Sequence, residues 1–221
     1  MNIKAKLREY NVNYNSIFCI FMIGSVLGFI LEGIWHIIRK GSWESHSATV
    51  WGPFCIIYGI AAAVLYIGAI FLKDKNIALQ FAVCAVAGSA IEYFSSLFQE
   101  ACFGSVSWNY SKQFMNIGGR VSLRMTVLWG ILGVAFIRIL FPVMVRFLAY
   151  VRGRKWSVSC ICLSVFMGIN LVLTSIAVLR WGERMDPSSA IPANSVEKFL
   201  DERFDDERMS ETFPNMVFKD K

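Results

Sequence analysis

Residues 16–38 read SIFCIFMIGSVLGFILEGIWHII, and this stretch decides the fold. One carboxylate, Glu32, and one imidazole, His36, interrupt an otherwise apolar run. A helix needs about 20 such residues to cross roughly 30 Å of hydrocarbon. It must be a helix, because backbone N–H and C=O groups find no partner in lipid. Four further runs follow at 54–72, 77–98, 125–147 and 156–179. The first run is too long for a cleavable signal peptide and lacks a small-x-small site at its end.

The whole chain agrees with this stretch. Of 221 residues, 56% are hydrophobic and 17% charged, against about 25% charged in ordinary soluble domains. That excludes general disorder. It also excludes a water-soluble globule, since a domain this small cannot hide so much apolar surface. The expected fold is all-α: a polytopic membrane bundle of five transmembrane helices over residues 1–179, followed by a polar tail over 180–221.

Charge is distributed unevenly. Residues 1–179 hold fifteen Lys/Arg and six Asp/Glu, whereas the tail holds seven and ten. Lys4, Lys6, Arg8, Lys73, Lys75, Arg146, Arg152, Arg154 and Lys155 fall on one side of five spans. Arg39, Lys40, Lys112, Arg120 and Arg124 fall on the other. The positive-inside rule then predicts a cytoplasmic N-terminus and an outer tail. No basic patch interleaved with aromatics points to nucleic acid. The basic balance fits membrane lipids as the neighbours.

Six cysteines stand at 19, 55, 84, 102, 160 and 162, and none forms a CxxC pair. They read as small hydrophobes, with no metal or other cofactor implied. In the tail, Pro187 and Pro192 mark a linker. Asn194 and Glu197 resemble a capping box that opens a short amphipathic helix over 195–209. Its apolar face carries Val196, Phe199, Leu200 and Phe204, and its opposite face is acidic.

Ionisable groups inside spans are costly and usually face protein or water. Gly24, Gly28, Glu32 and His36 recur every four residues and so share one helix face. Gly88, Glu92, Ser95, Ser96 and Gln99 make a similar stripe in the third run. The two stripes face each other or a common cavity. Arg120 and Arg124, at the outer mouth of the fourth run, are the expected partners of Glu32 and Glu92. Arg138, deeper, is expected to snorkel or bond backbone carbonyls.

The loop over 99–124 carries Glu100, Trp108, Tyr110, Asn116, Gly118-Gly119 and Arg120. Its aromatics read either as an interfacial belt or as part of a functional loop. Candidates for binding or gating a polar solute are therefore Glu32, His36, Glu92, Glu100, Trp108, Tyr110, Asn116, Arg120 and Arg124. No GxxxxGK[ST], HExxH or GxSxG motif occurs, so no catalytic residue is assigned. A weak internal repeat places Glu32, Gly41, Trp43 and Tyr58-Gly59 beside Glu100, Gly104, Trp108 and Trp129-Gly130. It would make spans one–two and three–four parallel copies.

The ordered set Gly24-Ser25, Gly28-Phe29, Glu32, Gly52-Pro53-Phe54-Cys55, Tyr58-Gly59, Glu92-Tyr93, Trp108-Asn109-Tyr110-Ser111, Gly119-Arg120-Val121 and Trp129-Gly130 resembles the bacterial "putative ABC-transporter type IV" membrane proteins. So does the tail block Asp205-Asp206-Glu207-Arg208-Met209 with Phe213-Pro214-Asn215-Met216. Ile56 and Asn109 depart from the pattern, where proline and an acidic residue are expected. The resemblance implies a permease subunit served by a separate ATPase, and a five-span subunit is expected to form homo-oligomers. Two other readings stand beside it: a membrane enzyme acting on lipid or envelope precursors, and a non-catalytic scaffold or regulator.

Overall fold

A computed structural model describes residues 3–151, 153–186 and 188–219. Arg152, counted above with the basic cluster, and Pro187, read as linker, lie outside these residues. The helices are α1 (Ile3–Glu9), α2 (Tyr14–Lys40), α3 (Ile56–Leu72), α4 (Ile77–Phe103), α5 (Leu123–Tyr150), α6 (Arg154–Arg184), α7 (Ser195–Arg203) and α8 (Asp206–Thr212). Two short strands, β1 (Ser105–Val106) and β2 (Val217–Phe218), complete the set.

Local chemistry sets the boundaries. Asn13, Asn76 and Ser122 accept hydrogen bonds from the first-turn amides of α2, α4 and α5, which satisfies donors a helix start leaves open. Gly41 and Gly104 end α2 and α4 in the left-handed region, at φ 76° and 63°, where a side chain is disfavoured. The α4 helix therefore runs on past the polar Gln99 and Glu100, at which the apolar run stops.

Four helices, α2, α4, α5 and α6, are long and apolar enough to cross a membrane. The fifth apolar helix, α3, has 17 residues and sits at the short end of the spanning range. Large apolar side chains such as Leu31, Val86, Ile139 and Val172 stand exposed on the bundle's outer faces, as expected where lipid is the solvent. Within α5, a π turn over Phe136–Leu140 directly precedes Pro142, whose missing N–H interrupts the regular ladder.

The bundle is built from two helix pairs, α2 with α3 and α4 with α5. At the end where α2 begins, Tyr66 donates to the Tyr10 carbonyl at 2.8 Å, above a core of Ile20, Ile70, Phe141 and Leu148. Gln80 is fully buried there and donates to the Leu72 and Lys75 carbonyls at 2.8 and 3.1 Å. Arg138 gives Nε to Gln80 Oε1 at 3.0 Å and Nη2 to the Lys75 carbonyl at 3.3 Å. It thus bonds a carbonyl of the 73–76 turn, as the sequence leads one to expect.

The tail closes the opposite end, where residues 41–55 and 104–122 emerge. One helix was expected across 195–209, but there are two, because Asp205 leaves the helix and caps α8 through the Arg208 amide. Leu200, Phe204, Met209 and Phe213 bury against Ala177, Val178 and Trp181 of α6. Val196 and Phe199, expected on the same apolar face, remain exposed. Asp201 receives Arg180 Nη2 at 2.8 Å and Arg184 Nη1 at 2.5 Å. β2 then pairs antiparallel with β1, and the Lys219 amide donates to the Gly104 carbonyl at 2.9 Å.

Candidate functional site

The site begins with how closely the paired helices approach. A Cβ added to Gly28 would come within 2.3 Å of Tyr58, and one added to Gly88 within 2.5 Å of Trp129. Each glycine thus lets an aromatic side chain of the next helix approach its backbone closely. One turn further along sit Glu32 and Glu92. Tyr58 donates its hydroxyl to Glu32 Oε1 at 2.5 Å. Trp129 donates Nε1 to Glu92 Oε2 at 3.0 Å.

The correspondence extends in both directions. Gly24 lies against Ala62 as Cys84 lies against Gly133, and Tyr58-Gly59 matches Trp129-Gly130. The α2–α3 and α4–α5 pairs therefore repeat one packing unit. The expected repeat exists, but its register is corrected: the counterpart of Glu32 is Glu92, not Glu100. Its signal was the aromatic-glycine dipeptide, which the sequence reading already contained.

Glu92 is buried and its second oxygen accepts the Tyr110 hydroxyl at 2.9 Å. Tyr110 is held by its own amide on the Gly119 carbonyl at 2.7 Å. Burial, together with the negative charges of Glu92 and Glu32, pushes its phenol well above the usual range, so it stays a hydrogen-bond donor. The Tyr58 and Trp129 rings lie 6.0 Å apart. The two carboxylates thus meet around Tyr58, Tyr110 and Trp129. Of these three aromatics, only Tyr110 was among the binding or gating candidates; Tyr58 and Trp129 were read as repeat and family-pattern positions.

The expected arginine partners are elsewhere. Arg120 Nη2 pairs with Glu100 Oε2, and its guanidinium lies 5.8 Å from the Tyr93 ring centroid. The turn at Gly118 and Gly119, both at positive φ, aims Arg120 at the end of α4. Arg124 is exposed on the first turn of α5. Among the described residues, no basic side chain forms an ion pair with Glu32 or Glu92.

The remaining candidates shape the surrounding loops. Trp108 Nε1 donates to the Arg120 carbonyl at 2.9 Å. Asn116 donates to the Gln113 carbonyl at 2.9 Å and accepts from the Gly119 amide at 3.1 Å. Glu100 takes Lys219 Nζ at 2.5 Å in addition to Arg120. His36 departs from the Glu32 cluster: Nδ1 is 2.8 Å from the Ser42 carbonyl and Nε2 is 3.0 Å from Glu44 Oε2. Glu44 also accepts Asn215 Nδ2 at 3.0 Å and lies 3.7 Å from His46 Nε2. His46 is part-buried beside Asn215 of the tail.

No curated protein and no solved structure matches the chain. The model of the family described as "Putative ABC-transporter type IV" matches residues 19–175, which include both helix pairs, the 99–124 loop and most of α6. On that match, together with its long apolar helices, the chain belongs to this ABC-transporter-related family of membrane proteins.

Proposed function

We propose that the chain is a permease-like subunit of a transport system, spanning a bacterial plasma membrane five times and working with a separate ATPase. Its N-terminus is cytoplasmic, and its tail and the 99–124 loop face outward. Several copies assemble to complete a pathway. The observation that carries this reading is the duplicated carboxylate pair, Glu32 and Glu92, which among the described residues is met by neutral donors alone, at the junction of two helix pairs. Membrane transporters built from parallel repeats commonly place their solute site at such a junction. Unpaired acid inside a bilayer is expensive. A solute that brings positive charge or further hydrogen-bond donors relieves that cost on arrival, which favours a cationic or donor-rich solute.

Family membership supports the ATPase partner. Mild-detergent purification of the tagged chain is expected to bring down an ATPase in fixed ratio. Its absence across several gentle detergents speaks against the ABC assignment. Glu32→Gln and Glu92→Gln are expected to abolish the transport phenotype while the protein accumulates normally in the membrane. Degradation of both variants would instead indicate that the carboxylates only hold the bundle together.

A further inference from the structure

The α6 helix carries an apolar lane in which Val165, Gly168, Ile169, Val172 and Ile176 follow one another at helical spacing. Together with Trp51 and the tail, the lane bounds a groove of about 920 Å³, within the size range of sites that hold small ligands. From Val165 to Ile176 the lane runs about 16 Å at 1.5 Å per residue, close to half the hydrocarbon thickness. The space over Gly168 is open, since a Cβ there would meet no atom within 4 Å. Trp51 is fixed at its side: its amide donates to Asn170 Oδ1 at 3.2 Å, and its carbonyl accepts Asn170 Nδ2 at 2.7 Å.

Arg203 and Arg208 of the tail also line the groove. Two nearby acids are engaged by other arginines, Asp201 by Arg180 and Arg184, and Asp206 by Arg184. Among the described residues, neither Arg203 nor Arg208 forms an ion pair with a carboxylate. Arg208 lies 5.3 Å from the Phe204 ring centroid and donates Nη1 to the Arg203 carbonyl at 3.0 Å. These contacts hold the two basic residues together. An apolar trough about one leaflet deep is thus lined at the tail by two guanidinium groups that pair with no carboxylate among the described residues, although acidic residues outnumber basic ones in the tail.

We propose that this groove holds one anionic phospholipid from the surrounding bilayer, with an acyl chain along the α6 lane and the phosphate between Arg203 and Arg208. Guanidinium groups suit this role because their fork of donors matches phosphate oxygens. A zwitterionic lipid fills the same lane but brings a cation to a rim that is already positive. The lipid would also brace the tail against α6, since Phe199 and Phe204 form one wall of the groove.

Native mass spectrometry of the full-length protein, with phosphatidylglycerol and phosphatidylcholine in equal amounts, tests the assignment. Retention of phosphatidylglycerol is expected to exceed that of phosphatidylcholine about tenfold. The double variant Arg203→Gln with Arg208→Gln is expected to bring the ratio near one. Gly168→Leu is expected to lower occupancy by both lipids. Millimolar inorganic phosphate is expected not to displace the lipid. Equal retention of the two lipids by the native protein, or a preference that survives the double variant, would overturn the site. Displacement by inorganic phosphate would overturn the bilayer lipid as its occupant. Should the double variant fail to fold, Gly168→Leu decides, and unchanged lipid retention there counts against the proposal.

Discussion

Tyr58 reaches from α3 to place its hydroxyl 2.5 Å from Glu32 on α2. No other hydrogen bond to the Glu32 side chain is present among the described residues, whereas Glu92 has two donors. Tyr58→Phe should therefore cost more than Trp129→Phe, by about 1 kcal/mol, the low end for a polar group that loses its partner while only part-buried. Thermal melting in detergent measures this. In a Glu32→Leu background the cost of Tyr58→Phe should vanish, as a double-mutant cycle would show.

The repeated glycines predict matched sensitivity. Gly28→Ala and Gly88→Ala drive a methyl group into Tyr58 and Trp129, and overpacking of this kind costs about 1–3 kcal/mol. Gly168→Ala, where the space is open, should be neutral or stabilising by up to about 1 kcal/mol through helix propensity. Melting temperatures that rank the three variants otherwise would contradict the close-approach argument.

Gln80 caps the 73–76 turn from inside the bundle. Gln80→Leu takes one donor each from the Leu72 and Lys75 carbonyls, which keep the Lys75 amide and Arg138 Nη2, and removes the acceptor for Arg138 Nε. A loss of about 1–3 kcal/mol is expected from the side-chain donor left without its acceptor. Hydrogen exchange should localise the loosening to the α3–α4 turn.

Tail docking should depend on pH. The Arg180 hydrogen bond, followed by that of Arg184, holds the Asp201 carboxyl below its ordinary value. The folded value lies below the unfolded value of about 3.9. The pair's contribution is therefore complete above that pH and disappears as pH falls through the depressed folded value. Exchange protection of α7 and α8 is expected to drop at pH 3 relative to pH 7. Asp201→Asn should release the tail at pH 7, at a cost of about 1–3 kcal/mol.

Hydropathy located the helices to within a few residues, because lipid imposes both length and helicity on any crossing. The polar stripes were also legible, since a four-residue spacing of Gly24, Gly28, Glu32 and His36 admits few other readings. The partners of the carboxylates were not. Tyr58 and Trp129 sit inside apolar runs, where a ring counts as filler although its hydroxyl or N–H is what satisfies the acid. Arg120 looked like the natural counter-ion by reach and charge, but backbone direction at Gly118 and Gly119 overrides Coulomb attraction at a distance. Asp205 was read as part of an acidic face, whereas its side chain caps a new helix.

The clasp between β1 and β2 bears on how this protein should be handled. A fluorescent or affinity partner fused after Lys219 would hang from a two-residue strand and pull it off the Gly104 carbonyl. Ile191, 82% exposed in the stretch between α6 and α7, offers an internal splice point that leaves the clasp fastened. Topology reporters inserted there should read the sidedness of an intact molecule, whereas those appended at the end would read that of an unbuckled one.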